Sequence, residues 1–168
     1  MDPLVSANIA TLDHVKWFTE TVLKGDLPES ARFFQTTPDT AHIHWLVGHI
    51  AFALDRVTLT ALEATPALPE TLVPQVGWGS KPVADPAAYP HWDVYLGYLY
   101  DSLGRVRSRV AALTDSDLAQ PLPDGHPFAK FMPTRGSMIP FSGYHSCYHL
   151  GQVTLLRRAQ GLPSGMQG

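Results

Sequence analysis

The sequence predicts an all-α protein, a four-helix up-and-down bundle with a long proline-rich loop between the second and third helices. Three observations lead there. Four segments carry apolar residues at three- and four-residue steps, the period of a helix with one buried face. No stretch alternates apolar and polar residues as a half-buried strand does, and no internal repeat occurs. Prolines concentrate between the four segments, where they forbid both a long helix and a central strand. At 168 residues the chain is long enough for a sizeable core, and all of it, 1–168, reads as a single domain.

The first helix is expected from Val5 to Lys24, with Val5, Ile9, Leu12, Val15, Thr19 and Val22 on one face and Gly25 as its stop. Asp26 to Thr37 reads as a connection carrying the apolar pair Phe33-Phe34. Thr37-Pro38-Asp39 has the chemistry of a helix start: a capping hydroxyl, a proline suited to the first turn and a carboxylate favoured by the helix dipole. The second helix is therefore expected from Pro38 to about Ala64. Thr65 to Pro90 holds six prolines and two glycines and reads as a long loop that packs back through Val76 and Trp78. The third helix is expected from His91 to Leu113, with Arg105, Arg107 and Arg109 on a wet face. Thr114 to Gly136 is a second connection, ending in Phe128, Phe131 and Met132. The last helix runs from Ser137 to Gly161, with Pro140 tolerated in its first turn, and Ser164 to Gly168 reads as a frayed tail.

Net charge is −3 and no basic run stands out, so the footprint of a nucleic-acid binder is missing. The longest apolar stretch, Ile43 to Leu54, is too short to span a bilayer, and Asp2-Pro3 opens neither region of a signal peptide. Cys147 is the only cysteine. A cytoplasmic protein with neither nucleic-acid nor membrane partners is expected.

The sharpest signal is the pair His145 and His149. Four residues is one helical turn, so both imidazoles leave one face and can close on one metal ion. If the second and fourth helices run parallel, depth can be counted from their starts. His49 lies eleven residues past Pro38, and His145 and His149 lie eight and twelve past Ser137, nearly one level at about 1.5 Å per residue. Three imidazoles can then meet. Any one of them alone is better explained as a hydrogen-bonded core histidine. Together, three neutral histidines with an open fourth position make the donor set of a catalytic site, suited to zinc, nickel, copper or iron.

Gln152 follows on the same stripe as a candidate hydrogen-bond partner to a ligand, or as a plain polar contact within the bundle. Cys147 points away from both ligands and reads as helix packing. His42, two turns before His49, is a candidate proton donor or acceptor at the mouth of the site, or an exposed first-turn residue. His44 faces elsewhere, and His126 has no partner at a meaningful spacing. Arg56 is either an anion-binding group at depth or, the favoured reading, a charge running out along its helix to water. With the starts of helices two and four at one end, Phe33, Phe34, Phe128, Phe131 and Met132 from the adjoining loops either line an apolar pocket or plug the bundle end.

Two motifs, Trp45-Leu46-Val47-Gly48-His49-Ile50 and His145-Ser146-Cys147-Tyr148-His149-Leu150-Gly151-Gln152 followed by Leu155-Leu156-Arg157-Arg158, together with the helix order around them, resemble the DinB-like metal-binding superfamily. The resemblance implies a bundle of unusual handedness, often dimeric. It also implies that His49, His145 and His149 bind a divalent ion, usually nickel or zinc. Characterised branches of that superfamily look like thiol-dependent transferases or isomerases working with bacillithiol, mycothiol or glutathione. The leading expectation is a metal-dependent transferase or hydrolase whose ion activates a thiol or a water against a small molecule. The alternative is a non-catalytic protein, stress-responsive or ligand-holding, with the metal as anchor or staple.

Overall fold

The computed structural model describes residues 2–166, and every element among them is helical. Four long helices form the bundle: α1 (Pro3–Val22), α2 (Ile43–Phe52, continuing without a break into a π-helical stretch, Ala53–Leu59), α3 (Trp92–Ala111) and α4 (Met138–Ala159). Short turns of helix sit in the connections at Glu29–Arg32, Val73–Val76 and Asp115–Ala119. Among the described residues no helix is long and apolar enough to cross a membrane.

The predicted start of α2 is corrected. Thr37 to Thr40 form a tight turn, with Thr40 N–H on the Thr37 carbonyl at 3.2 Å and Asp39 in the left-handed region at φ 69°. The helix begins five residues later. His42 caps it by accepting the Trp45 N–H on Nδ1 at 3.1 Å. The Thr-Pro-Asp signal is spent on a turn, which uses the same residue types as a cap.

The helices pack in the ring order α1, α3, α2, α4, with α1 facing α2 and α3 facing α4 only across the diagonals. Their directions depart from simple alternation. His44 lies against Trp92 and Tyr95, Asp55 meets Arg105 at 3.1 Å, and the Leu62 carbonyl accepts from Arg109 at 2.9 Å. These pairs advance together, so α2 and α3 run parallel. Thr58 and Ser142 hydroxyls meet at 2.5 Å while His49 meets His145 and His149, so α2 and α4 run antiparallel, not parallel as expected. α1 runs with α4: Thr11 and Val15 flank Gly143, and Arg157 reaches the Val22 carbonyl.

Parallel neighbours joined in sequence need a connection that travels back the length of the bundle. Residues 62–91 are that connection, a strap laid along α2. At one end the buried Asp55 carboxylate accepts the Ala67 and Leu68 N–H groups at 2.9 Å each. Arg56 is held there too, on Glu70 and the Leu68 carbonyl, and does not run out to water as expected. Further along, Trp45 Nε1 donates to Ser80 at 3.2 Å. The arginines of α3 are likewise more than a wet face: Arg105 pairs with Asp55, Arg107 with Asp13 at 2.6 Å, and Arg109 with the Leu62 carbonyl.

At the same end of the bundle as Asp55, Asp115 Oδ1 caps α1 by accepting Val5 N–H at 2.9 Å. The tail is tied where fraying was expected. Arg157 donates to the Pro163 carbonyl, and Gly165, at φ +84°, lies so close to α1 that a Cβ there would stand 2.6 Å from the Thr21 carbonyl. Gln167 and Gly168 lie outside the described residues.

Candidate metal centre

His49 is buried at the middle of α2 and stacks on Trp45 with ring centroids 4.6 Å apart and planes within 10°. Its Nδ1–H donates to the Val76 carbonyl at 2.7 Å, which leaves the Nε2 lone pair facing inward. Gly48 makes that bond possible. A Cβ at this position would stand 2.7 Å from Val76 Cγ1 and 3.0 Å from the Tyr95 ring, so any other residue holds the strap off the helix. On α4, His149 Nδ1–H donates to Gln152 Oε1 at 2.7 Å, three residues on. Gln152 Nε2 in turn reaches the Tyr148 hydroxyl at 3.4 Å. His149 Nε2 and His145 Nε2 face each other at 3.2 Å, and His145 Nδ1 is buried with no partner.

One ring nitrogen from each of His49, His145 and His149 lies within 4.8 Å of the other two. Nitrogens sharing a tetrahedral zinc-like ion stand about 3.3 Å apart, close to the 3.2 Å gap between the two α4 rings. One proton can bridge that facing pair, but the inward Nε2 lone pair of His49 then has none, whereas a single cation answers all three. The donor set therefore suits a divalent ion, with the carbonyl of Val76 and the amide of Gln152 fixing tautomer and ring orientation from outside. Burial pushes the pKa of His49 to about 4 and, with the neighbouring rings adding to it, that of His145 to about 3. Burial also lowers His149, against the pull of its Gln152 bond. All three are neutral near pH 7, the state a metal needs.

The sequence count that matched these histidines began from a residue outside the helix and assumed parallel helices. Convergence survives because α2 is antiparallel: counted back from the helix end at 61, His49 is twelve residues in, and His149 is eleven from Met138.

The opposed directions also explain which pocket residues reach the site. The starts of α2 and α4 lie at opposite ends of the bundle, so their loops cannot frame one opening. Phe33 sits with His42, His44 and Tyr89, at ring distances of 4.8, 4.7 and 5.8 Å. His42 is buried there, its Nε2–H on the Val83 carbonyl at 3.0 Å, and is neither an exposed first-turn residue nor at the mouth. Phe34 and Met132 pack against the core, and Phe131 is 75 % exposed. Phe128 alone of the group borders the site, 4.8 Å from Phe141, which stacks on His145.

A cavity of about 30 Å³ opens beside His145, lined by Ala53, Val57, Trp78, Phe128, Phe141 and Ser142. That volume holds one or two waters. Tyr144, Tyr148 and Trp78 are exposed around it, Tyr148 lying 5.0 Å from the His149 ring. Sequence reasoning placed Val76 and Trp78 in a loop that packs back, as it does, but missed the tyrosines of this rim and the part played by the Val76 carbonyl. The tyrosines each directly precede a ligand histidine, the one signal available. Val76 acts through its carbonyl, which no side-chain pattern reveals. His126 was also missed: it is buried, accepts Phe128 N–H, and gives its Nε2–H at 3.0 Å to the Val57 carbonyl in the π-helical stretch. Such stretches leave carbonyls out of the regular ladder. Cys147 is half-buried against the core, and burial pushes its thiol pKa up, away from a nucleophile's.

A family model described as the DinB superfamily matches residues 6–153 of the chain, which includes all three histidines, the strap and the whole of α2 and α3. No curated protein matches the chain.

Proposed function

The chain belongs to the DinB superfamily, and we propose that it is a divalent-metal-dependent enzyme, a transferase or hydrolase acting on a small molecule. His49, His145 and His149 would hold zinc or nickel. The observation that carries this is the set of three inward nitrogens, two of them fixed from behind by Val76 and Gln152. Three neutral ligands leave an ion's full charge available, and the chemistry it supplies is Lewis acidity toward a thiol or a water.

The protein's own residues do the rest. The Val76 carbonyl and Gln152 amide hold two rings in the tautomer that presents Nε2 inward. Phe128, Phe141 and Trp78 keep the space beside His145 small and apolar, which strengthens electrostatic interaction within it. The exposed tyrosines at 144 and 148 offer an entering molecule an aromatic rim. A low-molecular-weight thiol fits this approach, since sulfur is the one part that must reach the small cavity.

A second reading is favoured by one observation. The cavity lining carries no carboxylate, and Asp55 is wholly engaged by the strap and Arg105. A non-catalytic protein that uses its metal to hold a small anion needs no general base.

Elemental mass spectrometry of untagged protein, wild type beside His149→Ala, tests the shared part: one equivalent of zinc or nickel in the first and none in the second. Thiol-conjugation and hydrolysis panels then separate the two. Turnover lost with His49→Ala supports the enzyme; a fully loaded protein inert across both panels supports the binder.

A further inference from the structure

A second cavity, of about 570 Å³, lies between the ends of α1 and α4 and shares no lining residue with the metal centre. Its walls include Trp17, Lys24, Asp26, Arg157 and Met166. Arg157 is 3 % exposed. Its Nε donates to the Pro163 carbonyl at 2.6 Å and its Nη1 to the Val22 carbonyl at 2.9 Å, so among the described residues Nη2 is the arm without a partner. Arg56, Arg105, Arg107 and Arg135 each pair with a carboxylate although all are more exposed. Among the described residues Arg157, the most buried of these, pairs with none. Withdrawing a guanidinium from water is costly unless an anion compensates it, and carbonyl dipoles compensate only in part.

The rest of the cavity says what kind of anion. Lys24 adds a second positive charge and Asp26 subtracts one, a balance that suits one negative charge better than two. Trp17, 61 % exposed, offers an indole face, and Met166 a thioether suited to packing against a flat ring. The wall is preformed, because Gly165 is pressed onto the end of α1 and positions Met166. We infer that this cavity is a binding site for a small aromatic carboxylate, its carboxylate on Arg157 and Lys24 and its ring against Trp17.

The test is a heteronuclear NMR titration of the full chain with benzoate, and with benzyl alcohol as the uncharged counterpart. Benzoate should shift the Trp17 indole N–H and the backbone of residues 21–26 saturably, while benzyl alcohol does so at least about tenfold more weakly. Arg157→Met should weaken benzoate by about tenfold or more. If that variant does not fold, Lys24→Met, at the open side, should weaken benzoate about threefold and leave benzyl alcohol unchanged. Equal response to the two compounds, no saturable shift, or unchanged benzoate affinity in the folded variants overturns the assignment.

Discussion

Two histidine clusters meet α2 one to two turns apart, His42 and His44 at its start and His49 with His145 and His149 of α4, and they differ in where their ring nitrogens go. His42 spends both, one on the Trp45 N–H and one on the Val83 carbonyl, and His44 gives Nε2–H to the Pro90 carbonyl at 3.1 Å amid Phe33, Tyr89, Trp92 and Tyr95. His49, His145 and His149 turn nitrogens toward one another. Burial alone does not separate the clusters: His42, His44 and His49 all titrate near 4 for the same cause, loss of water. A backbone carbonyl on one nitrogen does not separate them either, since His44 and His49 each have one and His44 Nδ1 is buried without a partner; what marks a ligand candidate is a second nitrogen turned toward those of other histidines.

The largest contrast should come from removing one histidine of each kind. His149→Ala should abolish metal retention, whereas His42→Ala should leave the metal stoichiometry at the wild-type value; elemental analysis of both decides it. Equal loss in the two would erase the distinction.

Acid should sharpen it next. His42 and His44 have folded pKa values of about 4 against 6.5 unfolded, so between those limits the unfolded chain binds more protons. Their contribution is intact above pH 6.5, falls as pH drops, and is gone below 4, roughly 3 kcal/mol for each ring. Urea melts of metal-free protein across that window should show the slope, and His42→Ala should flatten it.

At neutral pH the same His42→Ala change should cost about 2–3 kcal/mol, since it uncaps α2 and frees Val83. Gly48→Ala should cost roughly 1–3 kcal/mol by pushing Val76 and Tyr95 away, and unlike His42→Ala it should also weaken the metal. Gln152→Ala, the smallest, should lower metal affinity about 10- to 100-fold with little change in the urea midpoint of the metal-free protein.

The helices were legible because their apolar period survives in sequence, and His145 and His149 because one turn of helix fixes their relation. Helix direction was not. A loop of 26 residues from Thr65 to Pro90 can close at one end or travel back, and composition is the same for both. That choice decided which loops flank the site, and so Phe33 and His42 were placed on the wrong side of the molecule. The packing of Val76 was legible but its bond to His49 was not, and His126 escaped, because each works on or through a backbone carbonyl, and the π-helical stretch leaves no recognisable mark among Ala53–Leu59.

The strap also sets an order of assembly. α2 and α3 are neighbours in sequence, yet they can pair in parallel only after some thirty residues have found their way back along the bundle, and closing such a loop is slow relative to forming a hairpin of helices. His49 receives its Val76 carbonyl only at that moment. A chain whose other helices have already collapsed would thus hold three histidines near one another with one ring still free to turn, so tight metal capture should report the last step of folding and serve as its clock.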